Sequence, residues 1–199
     1  MDGTTTTFSK KPTDRGALIL GYTTRRHLIL DLDNTGLDYA LRMAELIMSE
    51  WPAVGDCLIL ESTTQPDQVR LAYNKWGRVL VIHDRPNHHL VFDNLIGYNT
   101  AGRICRVLAG LGVLEEDYEK IREFRGDMTL RVSEAIMMDT TKPVPREAAY
   151  CMNMRATRSD GYIEEYRKFK KIGEALLRCS AVAEHVPDDQ GDAAQGCSE

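Results

Sequence analysis

The stretch His27-Leu28-Ile29-Leu30-Asp31-Leu32-Asp33 constrains this chain more than any other. Its near-continuous apolar content is that of a central strand covered on both faces. Two carboxylates nevertheless stand in it, two residues apart. Residues at that spacing share a face of an extended strand, so Asp31 and Asp33 are expected to emerge side by side. Two carboxylates a few ångströms apart in a poorly hydrated cleft repel strongly, and a hard divalent cation relieves the repulsion. Mg²⁺ favours a couple of carboxylates plus waters and substrate phosphates, the arrangement that nucleotidyl transfer uses. The plainer reading is that Asp33-Asn34-Thr35 caps the following helix. That accounts for Asp33 or Thr35 and leaves Asp31, inside the apolar strand, unexplained.

Other apolar runs set the frame around this strand. Ala17–Gly21 precedes it across the polar Tyr22–Arg26 and is expected to form a hairpin with it. Leu37, Ala40, Leu41, Ala44, Ile47 and Met48 recur at helical spacing, and Trp51-Pro52 and Gly55 close that helix. Cys57–Leu60 is a second strand, and Pro66–Trp76 is read as a short helix. Val79–Ile82 and His89–Phe92 look like paired strands around the turn residues Asp84-Arg85-Pro86-Asn87. Helices are expected over Tyr98–Leu111 and Glu115–Phe124, a strand over Met128–Ser133 and a last amphipathic helix over Tyr162–Arg178. The order gives an α/β (α+β) fold: an RRM-like or ferredoxin-like βαββαβ sheet with an inserted helix and strand and a C-terminal helix.

In that plan the first two strands point one way and the next two the other. One sheet edge then collects Asp31 and Asp33, Glu61 and Ser62, His88 and His89, and Arg125 and Asp127. His89 starts the third strand, where an imidazole can reach a phosphate oxygen; taken alone it reads as a histidine bonded within the sheet. Arg125, Arg131 and Asp127 read equally well as ion-paired or loop residues. The run Arg167–Lys171 is interleaved with Glu164, Glu165 and Glu174 and reads as a solvated helix face.

Composition sets the wider limits. The 199 residues are 43% hydrophobic and 28% charged, ordinary for a globular domain, and the net charge of −5 excludes a generally basic nucleic-acid coat. Residues 1–15 and the acidic 184–199 read as disordered, leaving 16–183 as one catalytic α/β domain. Five scattered cysteines without a Cys-x-x-Cys pair argue for reduced thiols and a cytoplasmic protein. Neither a membrane-spanning run nor a secretory h-region is expected.

Leu28-Ile29-Leu30-Asp31-Leu32-Asp33 and Asn87-His88-His89-Leu90-Val91-Phe92 together resemble two motifs of the archaeo-eukaryotic primase superfamily: an apolar strand ending in Asp-x-Asp, then small residue-x-His. Asp127 is the best match for a third, hydrophobic-Asp position, although Gly126 precedes it; Asp93 is an alternative at the wrong end of its strand. The resemblance spans about residues 17–135. It implies an RRM-like catalytic core that adds nucleotides to a nucleic-acid template. Asp31, Asp33 and Asp127 would be catalytic residues binding Mg²⁺ or Mn²⁺, and His89, Arg125, Ser62 and His88 would contact the nucleotide. Partners would be nucleoside triphosphates, single-stranded or primed nucleic acid and other replication proteins.

Two rivals stand beside it. Leu28–Thr35 also looks like the first motif of haloacid-dehalogenase-like phosphatases, with Asp31 as nucleophile, Asp33 as acid/base and Mg²⁺ as cofactor. That family needs a doubly wound sheet and a late apolar strand ending in an acidic pair, and neither is evident. A non-catalytic RRM-like module should carry aromatic residues on its central strands, where only Phe92 stands.

Overall fold

Four strands form one sheet in the order β11–β4–β7–β3, antiparallel throughout. They are β3 (His27–Leu32), β4 (Cys57–Glu61), β7 (His88–Leu95) and β11 (Arg146–Cys151). The computed structural model describes residues 7–12, 18–63, 68–73, 79–84, 86–114, 120, 128–131, 135–137 and 140–183. β3 and β4 run the same way, because α1 (Leu37–Glu50) returns the chain between them, and β7 runs oppositely in the gap. α2 (Tyr98–Gly110) follows β7, and α3 (Tyr162–Ala183) follows β11. The described residues therefore form a mixed α/β structure with a four-stranded antiparallel sheet and three long helices.

The outer places depart from the expected plan. β8 (Met128–Arg131) takes the position in sequence of the fourth strand and lies against β3, but its ladder is with β2 (Leu18–Thr24). β2 has β1 (Thr7–Pro12) on its other edge, so it pairs with β1 and β8 and not in the expected hairpin with β3. The turn into β3 is closed instead by Thr24, whose Oγ1 accepts the backbone N–H groups of Arg26 and His27, both at 3.3 Å. The fourth place in the main sheet goes to β11, on the far side of β4. Thr7–Pro12 was expected in a disordered segment; ladder bonds come from the backbone and need no apolar period.

Residues expected as a helix over Pro66–Trp76 form β5 (Gln68–Tyr73), paired with β6 (Val79–Asp84). Val69, Leu71 and Tyr73 alternate with Gln68, Arg70 and Ala72, the two-residue period of a strand. Val79–Ile82 thus pairs with β5 rather than with His89–Phe92. A second small hairpin joins β9 (Ala135–Met137) to β10 (Thr140–Lys142). The helix expected over Glu115–Phe124 lies outside the described residues except Lys120, as do residues 184–199.

Leu28–Leu30, Leu58–Leu60 and Leu90–Phe92 are fully buried, so both faces of β3, β4 and β7 are covered. α1 adds Ala40, Met43, Ala44, Ile47 and Met48; α2 adds Ala101, Ile104, Cys105 and Leu108. Each large side chain buried here contributes about 1.5–3 kcal/mol relative to exposure. The N-terminus of α3 is fixed by Asp93, a buried carboxylate that accepts the N–H groups of Ile163 (3.0 Å) and Gly161 (3.3 Å) and the hydroxyl of Ser159. Asp93 thus anchors a helix at the end of β7 remote from His89. No helix among the described residues is long and apolar enough to cross a membrane.

Candidate functional site

The register of the inner strands decides which polar groups can meet. His89 stands directly opposite Asp31 on β3 and opposite Leu60 on β4. Residues directly opposite in an antiparallel pair share a face, so these three point the same way. Nε2 of His89 lies 3.4 Å from Oδ1 of Asp31. The imidazole is buried, whereas the Asp31 side chain keeps 39% of its surface exposed. A half-open carboxylate is thus backed by a buried ring at the edge where β3 ends and β7 begins.

His88 goes the other way. It stands opposite Leu32 and Glu61, on the face away from Asp31, and burial pushes its pKa down against the opposing pull of Glu61. Adjacent strand residues point to opposite faces, so the two histidines do not act together on one ligand.

Asp33 lies just beyond the strand, in a turn where Asn34 takes the left-handed conformation with φ 53°. Its carboxylate accepts Nδ2 of Asn87, and the backbone N–H of Asn34 donates to Oδ1 of the same Asn87 at 2.7 Å. α1 begins after Gly36 with no side-chain cap bond, and the Thr35 hydroxyl donates to Leu32 O at 3.4 Å. The capping account of Asp33 therefore does not describe it.

Ser62 follows β4, buried, and both its N–H (2.8 Å) and its hydroxyl (3.2 Å) donate to the carbonyl of Asn87. The N–H of Asn87 donates to Oγ1 of Thr63 at 2.9 Å. Arg131 on β8 donates to the carbonyls of Ser62 and Pro143. Asn87 and Arg131 thus tie together the ends of β3, β4, β7 and β8. Neither was singled out as a site residue in the sequence: Pro86-Asn87 carries a turn signal, and that signal conceals a side chain reaching across to β3. Arg125 and Asp127 lie outside the described residues. On α3, Arg167 is paired with Glu147 and Glu164, in keeping with a solvated, ion-paired face.

Among the described residues no group of three or more His, Cys, Asp or Glu side chains is placed to hold a metal ion. What the edge offers is carboxylate oxygen from Asp31 and Asp33, a donor set of the hard kind that suits Mg²⁺ or Mn²⁺ when water and substrate complete the shell. A scan of protein-family models gives no match to the chain, and searches of curated proteins and of solved structures give none.

Proposed function

We propose that this chain is a metal-dependent nucleotidyltransferase of the primase-polymerase type, adding nucleotides on a nucleic-acid template. The observation that carries the reading is the meeting of Asp31 and His89 on one face of the sheet, 3.4 Å apart, with Asp33 one turn beyond. Asp31 and Asp33 would hold Mg²⁺ or Mn²⁺, with Asp127 as the third ligand. The cation would favour ionisation of the attacking 3′-hydroxyl and offset charge on the departing pyrophosphate. His89, buried against Asp31, would face its buried oxygen Oδ1 and fix the carboxylate's orientation, leaving the other oxygen for the cation, as partners of metal ligands do. That makes His89 a positioning residue, and contact with the triphosphate falls to Arg125. Ser62 would act through the Asn87 carbonyl that holds the edge together.

The phosphatase alternative needs a parallel, doubly wound sheet, whereas every described strand pairing is antiparallel. The binding-module alternative needs exposed aromatics, whereas Asp31 and His89 share their face with buried Ile29, Leu60 and Val91.

The test is extension of a labelled primer with Mg²⁺ or Mn²⁺. Wild type should incorporate nucleotide, and Asp31→Asn, nearly equal in volume, should lower the rate at least about 100-fold, the scale of losing one transition-state charge contact. Phosphomonoesterase activity that depends on Asp31, without incorporation, would establish the phosphatase instead. Nucleic-acid binding with neither activity would establish the module.

A further inference from the structure

We propose that Cys57 and Cys151 form a reversible cross-strand disulfide, a redox-controlled clasp that fastens the edge strand β11 to β4. Cys57 opens β4, Cys151 ends β11, and the two stand directly opposite each other in the antiparallel ladder. Their side chains therefore leave the sheet on the same face. Both are free thiols; Cys57 is buried and Cys151 half-buried, so an oxidant meets Cys151 first.

Sheet geometry sets the distance. The N–H of Asp93 bonds Asp56 O, and Ser62 N–H bonds Asn87 O, so even-numbered residues of this segment direct their backbone groups toward β7. By alternation Cys57 directs its own toward β11. The cysteines are then a hydrogen-bonded pair, for which Cα atoms lie about 5.5 Å apart. That falls inside the window of about 4.4–6.8 Å that disulfides occupy. Cβ atoms of a hydrogen-bonded pair start about 5.5 Å apart and a disulfide needs about 3.5–4.5 Å, so closure takes roughly 1–2 Å of approach. Cys151 is placed to supply it: it is the last residue of its strand, a register shift lies at Glu147/Ala149, and Met152 beyond it is exposed. A bond closed under some strain is more readily reduced, which is the property a reversible clasp requires. Burial raises the pKa of both thiols, with the facing Cys151 adding to the effect at Cys57 and Glu45 at Cys151. The reduced form is therefore protonated at neutral pH, and exchange is slow until a disulfide oxidant accumulates.

The chemistry balances with a small-molecule disulfide such as oxidised glutathione. The Cys151 thiolate attacks one of its sulfurs, breaks the S–S bond and releases one small thiol, leaving a mixed disulfide. The Cys57 thiolate then attacks the Cys151 sulfur and expels the second small thiol. Two protein thiols lose two electrons and two protons, and the small disulfide gains both.

The full chain is equilibrated in glutathione buffers from reducing to oxidising, its thiols are blocked by alkylation, and non-reduced peptides are mapped by mass spectrometry. The expected result is a Cys57–Cys151 crosslinked peptide that forms with oxidation and disappears with dithiothreitol, together with a raised thermal midpoint. Cys151→Ser should abolish crosslink and shift while leaving the midpoint of the reduced protein unchanged. Alkylated Cys57 in the fully oxidised chain, or disulfides that join only other cysteines, would overturn the proposal. The mapping uses the unsubstituted chain, so it decides the matter even where Cys151→Ser folds poorly.

Discussion

Gly55→Ala should be among the most damaging single-methyl additions to this protein. Gly55 ends the short turn after α1 with φ 80° and ψ −158°, a conformation essentially reserved for glycine, and forcing another residue into it costs about 1–3 kcal/mol. A Cβ built there would lie 2.6 Å from Cγ, 2.8 Å from Oδ1 and 2.9 Å from Nδ2 of Asn94. Asn94 is 1% exposed and cannot swing away without loss. Its Nδ2 donates to Arg158 O and its Oδ1 accepts from Asp160 N–H, both at 3.1 Å. Displacing the amide gives up two hydrogen bonds of about 0.5–1.5 kcal/mol each. The sum is about 4 kcal/mol, a large part of the roughly 5–15 kcal/mol that keeps a domain folded. At about 2–4 °C per kcal/mol for this size, the thermal midpoint should fall by about 10 °C. Urea denaturation with an unchanged slope would measure it. In an Asn94→Ala background the clash is gone and only the backbone cost, about 1–3 kcal/mol, should remain. A single-variant loss under 1 kcal/mol, or strict additivity in the double variant, would refute the reasoning.

Other consequences can be measured in the same way. Asp93→Ala should cost about 2–3 kcal/mol in urea denaturation and speed hydrogen exchange at Gly161 and Ile163, because two N–H groups at the start of α3 lose a charged acceptor. His27, stacked on Tyr162 at 3.6 Å, has its pKa pushed down to about 4 by burial, against opposing pulls from Asp160 and Asp93. The unfolded chain binds that proton first, so stability is full above about pH 6.5 and falls as the pH drops toward 4, by about 2–3 kcal/mol from this residue. Urea midpoints between pH 7 and pH 4 should show the decline, and His27→Gln should flatten it; an equal slope in the variant would remove His27 as the cause. Asn87→Ala should cost under about 1.5 kcal/mol of stability, since its bonds to Asp33 and Asn34 are exposed. Under the proposed function it should nevertheless raise the Mg²⁺ concentration needed for half-maximal nucleotide incorporation by about 10-fold or more, because Asp33 loses its orientation.

The inner sheet and the helices were legible because burial imposes a period. Leu28–Leu30, Cys57–Leu60 and Leu90–Phe92 are apolar on both faces, and α1, α2 and α3 repeat apolar residues along one face. The edges were not legible. β11 reads Arg-Glu-Ala-Ala-Tyr-Cys and is mostly exposed or half-buried, so backbone pairing with β4 holds it where no hydrophobic pattern announces it. β5 shows a strand's alternation, but Pro66 with Asp67 and Gln68 looks like the start of a helix, and a six-residue window gives little to choose between the two. Pairing partners were harder still: the period of β2 states that it is a strand, not that β1 and β8 are its neighbours.

At the candidate site, the facing of Asp31 and His89 follows from strand alternation, whereas the place of Asp33 depends on what crosses a turn. Asp31 and His89 share a face because β3 and β7 are antiparallel and in register, which an apolar run on each strand and a helix between β3 and β4 make the natural outcome. The same alternation separates His88 from His89, so of two adjacent histidines one faces Asp31 and the other Glu61. The expectation that Asp33 stands beside Asp31 extends the strand one residue too far, since β3 ends at Leu32. Asn34 reverses the chain first, and the position of the second carboxylate is set by Asn87, 54 residues away. A spacing rule for Asp-x-Asp thus holds only while the strand continues. Beyond it, the geometry of two carboxylates belongs to the loop that catches them, and under the proposed function variation at Asn87 should alter metal binding as surely as variation at Asp33 itself.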